Sequence, residues 1–156
     1  MIKFMDLHAQ YLSIKTDIDS AIAAVIRDTA FVSGSYAKKF EDQFAGLIGA
    51  NYCVGVGNGT DAIEIAIEAL DLPKGSEIIV PGNSFIASSE AVTRSGHKVV
   101  FADVDEDSYV LTADTVRAKL TEKTSAIIAV HLYGHPCDMD SLTELCREKQ
   151  LKIIED

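Results

Sequence analysis

The sequence predicts an α/β fold: three layers, α-β-α, around a mainly parallel sheet. From Tyr52 onward, short apolar runs alternate with segments whose apolar residues recur at helical spacing. The runs, of which Ser125-Ala126-Ile127-Ile128-Ala129-Val130 is the clearest, lack the alternation of a strand with one wet face. Both faces of the sheet must therefore be covered. The size agrees, because 156 residues can bury roughly 70% of the unfolded surface in one core. Hydrophobic residues at 47% and charged residues at 24% are ordinary globular values.

Taken in order, Ile2 to Leu7 read as a short extended arm. A helix is predicted over His8 to Arg27, where Leu12, Ile14, Ile18, Ile22, Val25 and Ile26 recur three and four apart. Residues 29–35 break it, and Ser35 is read as the cap of a second helix carrying Phe40, Phe44, Leu47 and Ile48 and closed by Gly49. Val54-Gly55-Val56 reads as a strand running into the bend Gly57-Asn58-Gly59-Thr60-Asp61, from which a helix with Ala62, Ile63, Ala66, Ile67 and Leu70 departs. After the Pro73-Lys74-Gly75 turn, Glu77 to Val80 is a strand, and Pro81 to Ser84 starts a helix reaching about Ser95. Lys98 to Phe101, Ser125 to Val130 and Leu151 to Asp156 are further strands. Helices are predicted from Thr112 to about Leu120, and from Asp138 to Lys149 with Met139, Leu142 and Leu145 inward.

The net charge of −10 disfavours nucleic acid and anionic membrane surfaces as partners. Cys53, Cys137 and Cys146 show neither CxxC nor Cys/His ligand spacing. No apolar run reaches membrane length, and the first residues carry no apolar signal core. The expected setting is a reducing cytoplasm. A GxSxG elbow, a Walker loop and a GxGxxG fingerprint are all absent from the sequence. The acidic run Asp103 to Asp107 lacks calcium-loop spacing and reads as a solvated loop. His131 and His135 cannot share a helix across Gly134 and Pro136, so no metal site is expected and His131 is read as a hydrogen-bonded supporting residue.

In a covered parallel sheet, ligands bind beyond the carboxyl ends of the strands. Three segments then converge: Asn58 to Asp61, Gly82 to Phe85, and the tip at Asp156. The first brings unpaired N–H groups and the positive end of a helix dipole, which suit a phosphate; a plain turn capped by Thr60 or Asp61 is the commoner alternative. Phe85 is either a stacking surface for a flat heterocycle or the first core residue of its helix. A carboxylate at Asp156 calls for a cationic partner, unless it caps a turn or belongs to a frayed end.

Asn58-Gly59-Thr60-Asp61-Ala62, Pro81-Gly82-Asn83-Ser84-Phe85-Ile86-Ala87, Phe101-Ala102-Asp103-Val104-Asp105, Val130-His131-Leu132-Tyr133-Gly134 and Ile153-Ile154-Glu155-Asp156 together resemble the sugar aminotransferases of the DegT/StrS type. Phe4-Met5-Asp6-Leu7, Tyr11 and Phe31-Val32-Ser33-Gly34 also fit. The resemblance implies a fold-type I large domain using pyridoxal 5'-phosphate. Residues 1–34 would form the N-terminal arm and helix, and residues 35–156 the first part of that large domain. By the same resemblance Gly59, Thr60 and Asp61 would hold the phosphate, Phe85 would stack on the ring, and Asp156 would pair with the pyridine nitrogen as the catalytic carboxylate. Glutamate and a nucleotide-linked keto-deoxyhexose, ketonic at carbon 3 or 4, would be the substrates of a cytoplasmic homodimer with Gly34 near its interface.

One departure is large. The family's Schiff-base lysine follows the pyridine-pairing aspartate, and the sequence stops at Asp156, so an N-terminal fragment is expected. Two alternatives stand: a sugar dehydratase of the same fold with histidine in place of that lysine, and a binding module without catalysis.

Overall fold

A computed structural model describes residues 4–156; part of the expected N-terminal arm therefore lies outside the described residues. The chain divides into two compact units, with the boundary in sequence between Gly55 and Val56.

The first unit holds two helices. Helix α1 (Leu7–Arg27) starts one residue earlier than predicted, because the Asp6 carboxylate accepts the Ala9 N–H at 3.1 Å. Its predicted apolar stripe is present, yet Leu12, Ile18, Ile22 and Ile26 are all exposed. Helix α2 (Ser35–Ile48) corrects the expected cap. Ser35 is the first helical residue, and Gly34 takes the cap position at φ 110°, a conformation open to glycine. Gly49 closes α2 in the left-handed region, as predicted. The strand expected at Val54 to Val56 does not form: no described strand runs beside it, and the Gly55 N–H donates instead to the Glu41 carboxylate at 2.9 Å.

The second unit is the α/β layer structure. Its elements are α3 (Gly59–Ala69), β1 (Glu77–Pro81), α4 (Ile86–Arg94), β2 (Lys98–Ala102), α5 (Ala113–Arg117), β3 (Thr124–Ala129), a 3-10 turn (Leu132–Gly134), α6 (Met139–Lys149) and β4 (Lys152–Glu155). The four strands form one parallel sheet in the order β2-β1-β3-β4. Consecutive residues of the two central strands serve opposite cores, as the unbroken apolar runs require. Ile79, Ile127 and Ala129 pack with Val116, Leu142 and Leu145 beneath α5 and α6. Ile78, Val80, Ala126 and Ile128 pack with Ile63, Ile67, Ala91 and Val92 beneath α3 and α4. Each fully buried isoleucine contributes about 1.5–3 kcal/mol of transfer free energy.

Two boundaries differ from expectation. Helix α4 begins at Ile86, not near Pro81, because Pro81 belongs to β1 opposite Ala102 and the Gly82 N–H still donates to the Ala102 carbonyl at 2.9 Å. Helix α5 has the predicted Thr112 start, as a capping box with Thr115, but ends at Arg117. Beyond it the bonds tighten to three-residue spacing, Lys119 to Val116 and Leu120 to Arg117. At the amino edge of the sheet, the buried Glu77 accepts from Thr121 Oγ1 at 2.6 Å and Lys98 Nζ at 2.9 Å.

Candidate cofactor site

The carboxyl ends of β1, β3 and β4 all open on one edge of the second unit. A cavity of about 420 Å³ lies there, lined by Gly59 and Thr60 from α3, Phe85 and Ser88 around the start of α4, His131 and Tyr133 after β3, and Asp156 after β4. Five residues singled out from sequence therefore share one cavity: Gly59, Thr60, Phe85, His131 and Asp156. Asp61 is not among its walls.

The start of α3 explains why. Asn58 is the N-cap, not Thr60 or Asp61: its backbone is extended and its Oδ1 accepts the Asp61 N–H at 2.9 Å. The Asp61 carboxylate folds back, accepting from Asn58 Nδ2 at 2.9 Å and lying 3.9 Å from Arg94, whose Nε is 2.8 Å from Glu64. A Cβ at Gly57 would sit 2.8 Å from an Asp61 carboxylate oxygen, so a larger residue there would make that side chain shift. With the Asp61 N–H used, the N–H groups of Gly59 and Thr60 have no acceptor among the described residues. They sit at the positive end of the α3 dipole, where an anion is favoured.

Phe85 is not a core residue. It holds the cap position of α4 with extended backbone, so its ring falls outside the face buried by Ser88, Ala91 and Val92 and is 77% exposed. It offers the cavity an aromatic face.

Asp156 is not frayed. Its N–H donates to Ala129 O at 2.9 Å and its C=O accepts from the His131 N–H at 2.8 Å, so the ladder between β3 and β4 runs on through it. The sequence predicts a cationic partner for its side chain. Among the described residues none is ion-paired with it; the Ser88 hydroxyl donates to Asp156 Oδ2 at 2.6 Å instead. The Asp156 residue is exposed at the open mouth of the sheet, so the desolvation of its carboxylate is incomplete.

His131 braces the same edge. Its Nδ1 accepts the Cys137 N–H at 3.1 Å, and its Nε2 lies 3.3 Å from Glu155 Oε2. The Cys137 thiol is pushed up by burial, which keeps it an inert packing group. Among the described residues, no cluster of three His, Cys, Asp or Glu side chains is placed to hold a metal ion. Tyr133 reaches the rim with φ 55° and full exposure. Such a backbone is sparsely populated by large side chains and is found disproportionately at binding sites. Sequence reasoning missed Ser88 and Tyr133. Ser88 lies one helical turn after Phe85, a spacing that places both at the start of α4.

Together these walls suit a flat, phosphorylated heteroaromatic ring: backbone donors for the phosphate, Phe85 for the ring face, and Asp156 for a protonated ring nitrogen. Comparison with known proteins points the same way. Residues 12–156 match the DegT/DnrJ/EryC1/StrS aminotransferase family. A dTDP-3-amino-3,6-dideoxy-alpha-D-galactopyranose transaminase of Aneurinibacillus thermoaerophilus is 38% identical over 100% of this chain and 43% of its own length. The crystal structure of S. venezuelae DesV, in complex with a ketimine intermediate, superposes with a TM-score of 0.95 at 38% identity, covering 99% of this chain and 42% of that one. An E. coli GDP-4-keto-6-deoxy-D-mannose-3-dehydratase with bound hydrated PLP gives a TM-score of 0.81 at 31% identity, covering 88% of this chain and 37% of that one. The chain thus spans about two fifths of the length of the relatives it matches. It belongs to the DegT/DnrJ/EryC1/StrS aminotransferase family.

Proposed function

We propose that the full-length protein is a pyridoxal-phosphate-dependent aminotransferase that moves an amino group from glutamate to a nucleotide-linked 3- or 4-keto-deoxyhexose. The observation that carries this is the meeting of Gly59, Thr60, Phe85 and Asp156 around one cavity at the carboxyl edge of the sheet. The transaminase name of the A. thermoaerophilus relative supports the substrate class. When bound, pyridoxal 5'-phosphate supplies the electron sink that lets nitrogen pass between carbonyl carbons.

The chain's own residues have distinct tasks in this scheme. The Gly59 and Thr60 N–H groups, with the Thr60 hydroxyl, hold the phosphate. Asp61 acts at one remove, locking Asn58 so that the first turn of α3 keeps its donors aimed at the cavity. Phe85 covers one face of the ring, and Asp156 holds a proton at the ring nitrogen. The His131 N–H fixes the Asp156 backbone. The Schiff-base lysine required by this scheme lies outside these 156 residues. Residues 35–156 are then the opening part of the large domain, preceded by an arm and helix over residues 1–34. A cytoplasmic homodimer completes the proposal; the exposed apolar stripe of α1 is a surface that a partner subunit would cover.

The test is to load the full-length protein with pyridoxal 5'-phosphate and add glutamate. The cofactor absorption band must shift, and a keto-sugar nucleotide must return as an amino sugar by mass spectrometry. A product that has lost oxygen without gaining nitrogen would establish the dehydratase alternative, which the E. coli neighbour supports. Absence of any cofactor band overturns both and leaves a binding module.

A further inference from the structure

We propose, on the pyridoxal-phosphate reading above, that Ser88 is a positioning residue: its hydroxyl sets the orientation of the Asp156 carboxylate toward the cofactor's ring nitrogen. The Ser88–Asp156 bond is 2.6 Å long and joins residues 68 positions apart. Ser88 is 2% exposed, so water does not serve its hydroxyl.

Its neighbours show what an uncommitted hydroxyl does here. Ser89 bonds back to Ile86 O, Thr93 to Ser89 O and Ser95 to Ala91 O, the usual three- or four-residue returns within a helix. Ser88 turns away from its own helix and bridges to the strand end. The Asp156 backbone is already fixed at both its N–H and its C=O. The side-chain torsions are the freedom that remains, and the Ser88 bond removes it. Oδ2 is thereby committed, and Oδ1 has no hydrogen bond among the described residues. A carboxylate held in one rotamer offers Oδ1 as a fixed acceptor for a ring N–H, without the entropy loss of orienting it on binding.

The test uses the full-length protein and pyridoxamine 5'-phosphate, which binds without a covalent link. Two quantities are read: its dissociation constant, and the 15N resonance of a labelled ring nitrogen in the bound state. Ser88→Ala is expected to weaken binding about tenfold, as loss of a charge-assisted hydrogen bond should, and to move the resonance toward the unprotonated ring. Ser88→Thr, which keeps the hydroxyl, is expected to restore both, and Ser89→Ala to match the wild type. Wild-type affinity and resonance in Ser88→Ala overturn the role of Ser88, as does a Ser88→Thr variant as impaired as Ser88→Ala. Failure of the wild-type protein itself to bind pyridoxamine 5'-phosphate overturns the cofactor reading instead.

Discussion

The backbone N–H of Cys137 points at His131 Nδ1 over 3.1 Å, so that nitrogen carries no proton and the neutral ring is the Nε2–H tautomer. The Nε2–H then faces Glu155 Oε2 at 3.3 Å. Long-range 1H–15N correlation of the neutral ring should show an acceptor-type Nδ1 and a proton-bearing Nε2. His131→Phe strands the Cys137 N–H and should cost about 1–3 kcal/mol in denaturant unfolding. His131→Asn, whose amide oxygen can accept, should recover part of that loss.

Asn58 both accepts from and donates to Asp61. Aspartate is ordinarily as good a helix cap as asparagine. Here it cannot donate, and it would set a second carboxylate against Asp61. Asn58→Asp should therefore destabilise by about 1 kcal/mol or more, no better than Asn58→Ala. A fully stable Asn58→Asp variant in urea titration would show that the donated bond is immaterial.

The hydrogen bond from Thr121, and after it that from Lys98, hold the Glu77 carboxyl below its ordinary value of 4.5. A carboxyl depressed in the folded state favours folding above its unfolded value, and that contribution is lost as pH falls through the folded value. Stability should therefore decline as pH drops below 4.5. Thr121→Val brings the folded value back toward the ordinary one. The variant should be weaker at neutral pH yet lose less on acidification, read by denaturant titration at neutral pH and at about pH 3.

Phe85 is exposed at the cavity mouth, so Phe85→Ala should leave the unfolding midpoint of the cofactor-free protein within about 0.5 kcal/mol of wild type. Retention of pyridoxal 5'-phosphate through gel filtration should fall in the same variant. A drop in stability comparable to a core truncation, about 3–5 kcal/mol, would return Phe85 to the core.

The layered fold was legible because Ile127 and Ile128 are consecutive and both apolar, a pattern that only a sheet covered on both faces can satisfy. The segment Val54 to Val56 shows the limit of such patterns: apolar character marks extended chain, but a strand also needs a neighbouring backbone. Asn58 was obscured by the glycines beside it, because the cap depends on where an extended residue gives way to helix, a matter of one φ/ψ pair. Phe85, Gly59, Thr60 and Asp156 could be brought together from sequence because each follows or precedes a predicted element end. Ser88 could not be joined to Asp156, since 68 residues separate them and nothing local records the bond. The stripe on α1 declared a helix without declaring what covers it.

The order β2-β1-β3-β4 has a consequence for how such a site can change over evolutionary time. From β1 the chain leaves through α4 on one face toward β2, and from β3 it leaves through α6 on the opposite face toward β4. Where the connections of two adjacent strands depart in opposite directions, they leave a crevice outside the carboxyl ends, a topological switch point. The crevice is thus a by-product of connectivity, present before any side chain lines it. Exchange of a rim residue such as the fully exposed Tyr133 would alter the lining of the crevice but not the connectivity that makes it.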